Sequence, residues 1–239
     1  MTSLEIHPIP SGLAGLDHIL GGGLPREGGL VLVGGENASV KTKLLLWILR
    51  TASQQSPHAE HLYLSTDSAL DSFAPGYEVE EAMRGMFAPL LGPGSRVVPL
   101  HTPTFAKIVS VIEQMAWGAG TVFVVDAVDC VEGVPGARKR CLTTGGAHAA
   151  SKTIWTLGGL ARSKAVTILA AMRLLPAAGA MRHASDVGLV LESIKGAPAA
   201  VLLRAQGKHR LGPAGREARF EMFEGFRDAA GAPALRETT

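Results

Sequence analysis

Charged residues are scarce in this 239-residue chain, at 18%, and they nearly cancel, leaving a formal net charge of +2. A balance so close to neutral points to no partner by itself, so any nucleic-acid contact has to come from local basic clusters. Cysteine is almost missing: Cys130 and Cys141 stand eleven apart, with no C-x-x-C and no His pair at zinc spacing. They read as two unconnected thiols in a reducing cytoplasm. No apolar stretch reaches the roughly 18 residues needed to span a membrane. The opening "MTSLEIHPIP" has neither a basic start nor an apolar core segment, so no signal peptide is expected. Internal repeats and clear linkers are also missing.

What is present is an apolar chain, 46% hydrophobic, long enough for one large α/β domain or two small ones with a full core. Short apolar runs alternate with helical patterns. "GLVLVG" (29–34) precedes a helical 41–52, and "HLYLST" (61–66) precedes a looser helical region near 77–91. "SRVVPLH" (95–101) precedes a helix marked by the spacing of Phe105, Ile108, Val109, Ile112 and Met115. "TVFVVD" (121–126) is the most apolar strand. A helix over 151–163, weakened by Gly158-Gly159, leads to "AVTILAAM" (165–172). "DVGLVLES" and "AAVLLRAQGKHR" read as a hairpin turning at "KGAP", and "EARFEMFEG" as a last strand. Apolar strands alternating with helices predict a mostly parallel central sheet covered on both faces, with a C-terminal antiparallel extension. One domain over 1–228 is the economical reading, with 229–239 as a flexible tail.

"LVLVGGENASVKTKLLLWIL" carries the first functional signal. The phosphate-loop pattern is G-x-x-x-x-G-K-[ST], in which backbone N–H groups wrap phosphates at a helix N-terminus. Gly35 fills its first position, Glu36, Asn37, Ala38 and Ser39 the middle, and Lys41 and Thr42 its last two. Lysine reaches the β- and γ-phosphates, and the Thr hydroxyl ligates Mg²⁺. Val40 stands where the pattern has glycine, and the backbone there passes close to the β-phosphate. A branched, stiff side chain in that place implies affinity weakened by about an order of magnitude or more, or lost.

The metal's water needs a carboxylate at the end of a neighbouring buried strand, which "TVFVVDAVD" supplies as Asp126, in a Walker B arrangement. Asp129 reads as structural. Orienting the attacking water falls to Asp67, at the end of "LYLSTD", with Asp71 one turn on. Aspartate is one methylene shorter than glutamate. In a site built for glutamate it stops about an ångström short, which harms hydrolysis more than binding. Two Gly/Pro-rich segments, 132–149 and 173–185, follow strand ends, the edge where open α/β sheets bind ligands. They read equally well as mobile connectors.

Taken together, "IPSGLAGLDHILGGGLPREGGLVLVGGENASVKT" resembles the opening of the RecA superfamily core, especially its RadA/Sms and KaiC branches. Ser11-Gly12, Leu16-Asp17, Leu20-Gly21-Gly22-Gly23 and Pro25 carry the match. "STDSALDSF" is similar to the segment with the family's catalytic glutamate, and places Asp67 there. "GKHRLGPAGREARFEMFEGF" resembles the RadA/Sms phrase that contains Lys, Arg and Gly, here Lys208, Arg210 and Gly212. The likeness runs from about residue 8 to 228 and implies a RecA-like P-loop fold that binds ATP and Mg²⁺ between subunits of a ring or filament. Lys208 and Arg210 are then expected to reach a neighbour's γ-phosphate. Arg138, Lys139 and Arg140 in the first loop, and Arg173, Arg182 and His183 in the second, are expected to face DNA. The alternative is that they are solvated surface charges, and neither loop has an aromatic on which a base could stack. The flanking RadA/Sms domains and the doubled KaiC unit do not occur in the sequence. Three readings follow: a cytoplasmic RecA-type ATPase acting on single-stranded DNA in recombination or repair, a non-catalytic paralogue that assembles with or loads a true recombinase, and a KaiC-like regulatory ATPase without DNA.

Overall fold

The structure is a computed structural model describing residues 8–35, 38–66, 81, 83–84, 97–102, 104–115, 117–118, 120–128, 144–172, 185–194, 197–206, 215–227 and 233–238. Its centre is a set of buried, largely apolar strands: β1 (Gly29–Gly34), β2 (His61–Ser65), β4 (Val122–Asp126) and β5 (Thr167–Met172), with β3 (Val97–His101) at one edge. They pair in parallel in the order β3-β2-β4-β5-β1, and β6 (Val187–Ile194) continues in parallel beside β1. From there β7 (Ala197–Gln206), β8 (Glu217–Arg227) and β9 (Pro233–Thr238) extend the sheet antiparallel, nine strands in all among the described residues. Strand β9 falls within the stretch read from sequence as a tail. Its proline stands at the first position, where no ladder N–H is lost inside the strand.

Period-two alternation divides each central strand between two cores. Val31, Val33, Tyr63, Val124, Leu169 and Ala171 face one side, where they join Leu44, Leu45, Ile48 and Leu49 of α2 (Ala38–Gln55) and Leu16, Ile19 and Leu20 of α1 (Ala14–Leu20). Leu30, Leu32, Leu62, Leu64, Phe123, Val125, Ile168 and Ala170 face the other. There they meet Ile108 and Ile112 of α3 (Phe105–Gln114) and Ile154, Leu157 and Ala161 of α4 (Thr144–Ser163). Strands buried on both faces have no polar side to show, hence their continuous apolar runs.

Helix boundaries depart from the sequence reading. Helix α2 starts at Ala38 rather than at residue 41, so what read as the end of a polar loop forms the helix's first turn. Helix α4 starts at Thr144, inside the segment read as loop 132–149, because an Ala-rich stretch (147, 149 and 150) follows Gly145-Gly146 and favours helix. Helix α3 ends at Gln114, earlier than the apolar spacing suggested. The looser region near 77–91 lies mostly outside the described residues, of which 81, 83 and 84 are helical. No helix among the described residues is long and apolar enough to cross a membrane.

The N-terminal "SGLAGLD…LGGGL" stretch builds a collar that delivers the chain to β1. Asp17 Oδ1 accepts the Ser11 N–H at 2.8 Å, and Gly21 caps α1 in the left-handed conformation. Ile9 and Leu24 exchange backbone hydrogen bonds of 2.9 and 2.7 Å. Gly23, with φ +139°, sits so close that a Cβ would fall 2.5 Å from the Ile9 carbonyl oxygen. Asp186 then fixes the start of β1, accepting the Leu30 N–H at 2.8 Å while its own N–H donates to the Leu30 carbonyl at 2.9 Å.

Candidate phosphate-loop site

Strand β1 ends at Gly34, and Gly35 passes so near β6 that a Cβ would lie 2.8 Å from the Leu191 carbonyl oxygen. Glycine at this position therefore has a steric cause in the sheet itself. The chain then enters α2, whose first turn holds Val40 and Lys41. Val40 is fully buried and belongs to the core cluster on the α2 side of the sheet, with Leu44 one helical turn further along the same face. Its branched side chain thus fills core space. Lys41 is only 3% exposed, and its ammonium donates a hydrogen bond to the Gly35 carbonyl. A buried ammonium needs such partners, because leaving it unpaired costs several kcal/mol.

Across the sheet, β5 separates β1 from β4, yet α2 brings Thr42 to the end of β4. The Thr42 hydroxyl donates to Asp126 Oδ2 at 2.6 Å. The same oxygen accepts the hydroxyl of Tyr63, also at 2.6 Å. Tyr63 comes from β2, which pairs with β4 so that Ser65 stands beside Asp126. One step further, Thr66 stitches the two strand ends together. Its N–H donates to the Asp126 carbonyl at 2.8 Å, its hydroxyl donates to the Ala127 carbonyl, and the Ala127 N–H donates back to that hydroxyl at 3.0 Å. The Asp126–Ala127 peptide is cis.

Of the residues singled out from sequence, the structure gathers Gly35, Val40, Lys41, Thr42 and Asp126 at the carboxyl edge of the parallel strands. Ala38 and Ser39 lie in the first turn of α2. Glu36, Asn37, Asp67, Arg138, Lys139, Arg140, Arg173, Arg182, Lys208 and Arg210 lie outside the described residues. Sequence reading missed Tyr63 and Thr66. Tyr63 looks like one more large residue in a buried strand, and its hydroxyl gains a partner only through the pairing of β2 with β4. The available signal was the phenol itself, since a buried tyrosine hydroxyl needs an acceptor.

Chemically, Thr42 and Asp126 offer hard oxygen donors, the type Mg²⁺ takes, and Mg²⁺ is commonly held by one or two carboxylates together with substrate phosphates. No group of three or more His, Cys, Asp or Glu side chains that could hold a metal occurs among the described residues. Lys41 supplies a cation and α2 a helix N-terminus, which together suit a polyphosphate. The donor set fits a magnesium nucleotide.

No protein-family model and no curated protein matches this chain. Among solved structures, the chain is similar to the ATPase domain of G40-P, with a TM-score of 0.62 and 14% identity, covering 93% of this chain and 90% of that one. At that identity the likeness speaks to the fold, which is RecA-like: α/β, with a mostly parallel sheet, helices on both faces and an antiparallel extension at the C-terminal end.

Proposed function

We propose that this chain is a RecA-like nucleotide-binding protein of the RadA/Sms and KaiC type, built as a single core over 1–228, that takes ATP with Mg²⁺ at Gly35–Thr42 and Asp126. The observation that carries this reading is the 2.6 Å hydrogen bond from Thr42 to Asp126, beside a buried Lys41. In such a site Lys41 would hold phosphate oxygens, while Thr42 and Asp126 would hold the metal and its waters. The similarity of fold to an ATPase domain supports the same assignment. Binding is weak and hydrolysis poor, because Val40 replaces the loop glycine and Asp67 is shorter than the glutamate the motif resembles. The protein acts on DNA in recombination or repair as a ring or filament, with Arg138, Lys139, Arg140, Arg173 and Arg182 contacting phosphates. A second reading, a non-catalytic paralogue that assembles with a recombinase, is favoured by the same Asp67.

Burial of Val40 supports retained binding over complete loss: with the side chain anchored in the core, the penalty left is the stiffness of a branched residue in the loop backbone, which glycine would remove. The test is Mg-ATP calorimetry on the natural protein and on Val40→Gly. The natural protein is expected to bind measurably. Val40→Gly is expected to bind about tenfold tighter, a step of about 1.4 kcal/mol, while losing about 2 kcal/mol of stability with the buried side chain. Absence of binding by both proteins would falsify the nucleotide reading and leave the paralogue.

A further inference from the structure

We infer that Tyr63 is a positioning residue for the metal carboxylate, an inference that rests on the nucleotide reading above. Asp126 Oδ2 accepts two hydroxyl hydrogen bonds of 2.6 Å, one from Thr42 and one from Tyr63. They come from different elements of the fold: Thr42 from α2, and Tyr63 from β2. An aspartate at the end of a strand has two soft side-chain torsions, and two donors on one oxygen hold it in a single orientation. That orientation matters because the Thr42 hydroxyl has one proton. While the proton is given to Asp126, the hydroxyl can meet a cation only through its oxygen and not through its hydrogen. Tyr63 thereby acts on the metal through Asp126 and indirectly through Thr42.

The phenol is rigid and 3% exposed, and its strand is hydrogen-bonded to β4 on one side and β3 on the other. Its hydroxyl therefore stays beside the carboxylate with little entropy left to lose. A short Ser or Thr at residue 63 would leave the donor several ångströms back along the ring's length. A Phe would keep the packing and remove only the donor.

The experiment titrates Mg²⁺ into protein holding a fluorescent ATP analogue, for the natural chain and Tyr63→Phe, alongside analogue binding in EDTA. Loss of an outer partner of a metal ligand typically weakens metal affinity about tenfold or more, so the Mg²⁺ midpoint of Tyr63→Phe is expected to rise by about that factor. Metal-free analogue binding should stay unchanged, which a mere packing defect would not leave intact. Equal midpoints in the two proteins overturn the inference and leave the nucleotide reading standing. No analogue binding by the natural chain, with or without Mg²⁺, overturns both. A second measurement avoids any folding defect in the variant. The chain has two tyrosines, Tyr63 and Tyr77, so incorporating 3-fluorotyrosine gives two ¹⁹F resonances, assigned with Tyr77→Phe. The Tyr63 resonance should move when Mg²⁺ joins bound nucleotide, and one that stays in place overturns the inference.

Discussion

His61, the first residue of β2, shows how a single side chain ties the stability of the core to pH. It is fully buried, and its Nδ1 accepts the Val122 N–H at 3.2 Å, so the neutral ring carries its proton on Nε2. Burial lowers its pKa from the usual 6.5, partly offset by the carbonyls of Ser56 and Ala52. Protonation would place an N–H on Nδ1, directly facing the Val122 N–H. The unfolded chain takes up this proton near pH 6.5 and the folded one only at lower pH, so the unfolded state binds more protons between the two values. Stability is therefore complete above about pH 6.5 and declines as pH falls from there towards the folded pKa. Urea unfolding at pH 7.5 and 5.5 should show a smaller loss for His61→Asn, whose Oδ1 keeps an acceptor for Val122 without titrating. An equal loss in both proteins would assign the slope to other groups. At this scale the sequence was legible where residue type and spacing repeat a chemical pattern, as with Gly35, Lys41, Thr42 and Asp126. It was silent on Tyr63, Thr66 and His61, whose partners lie about sixty residues away across the β2–β4 pairing.

Two glycines separate elements where the backbone conformation is needed from elements where it is only tolerated. Gly23 combines φ +139° with a backbone carbonyl 2.5 Å from any added Cβ, at the point where the collar turns towards β1. Gly159 sits on the exposed side of α4 with nothing within 4 Å of an added Cβ. Gly23→Ala should therefore cost about 1–3 kcal/mol, the scale of a strained backbone conformation. Gly159→Ala should stabilise by about 0.5–1 kcal/mol, the helix-propensity difference. Denaturant melts of both variants check the pair, and a neutral Gly23→Ala would show that the collar adapts. The same contrast explains what was legible at the level of elements. Runs such as "GLVLVG" and "TVFVVD" are strands because every position but the terminal Asp126 is buried. Helix α2 was read three residues late because "ENAS" has the composition of a loop. Strand β9 hid in "PALRET", whose proline and charges suit a sheet edge as well as a tail. The collar's glycines and Asp17, quoted for their likeness to a family phrase, have a structural role here, with Asp17 bonded to Ser11 and Gly23 set against Ile9.

For the whole molecule, strand direction bears on how a complete nucleotide site would be put together. Gly35 follows the carboxyl end of β1, level with Val190 and Leu191 of β6. Strand β7 begins beside the end of β6, where Ala197 pairs with Ile194, and runs back to Gln206, which pairs with Gly188. The chain thus leaves β7 heading away from the edge that holds Gly35, and Lys208 and Arg210 follow by two and four residues. Gln206 pairs with Gly188, three residues back along β6 from Leu191, which is about 10 Å at about 3.3 Å per residue. On the proposed reading, a head-to-tail assembly pairs the loop of one chain with Lys208 and Arg210 of the next at every interface. Mixed-subunit hydrolysis tests it. Lys41→Ala lacks the loop cation and Arg210→Ala lacks the proposed finger, so each alone should lose turnover. In an equal mixture, about a quarter of head-to-tail interfaces combine an intact loop with an intact finger. The mixture should therefore recover about that share of the natural rate. A mixture no faster than its two components would place both groups in one subunit, and the residues after β7 would then have to turn back towards the loop edge within the same chain.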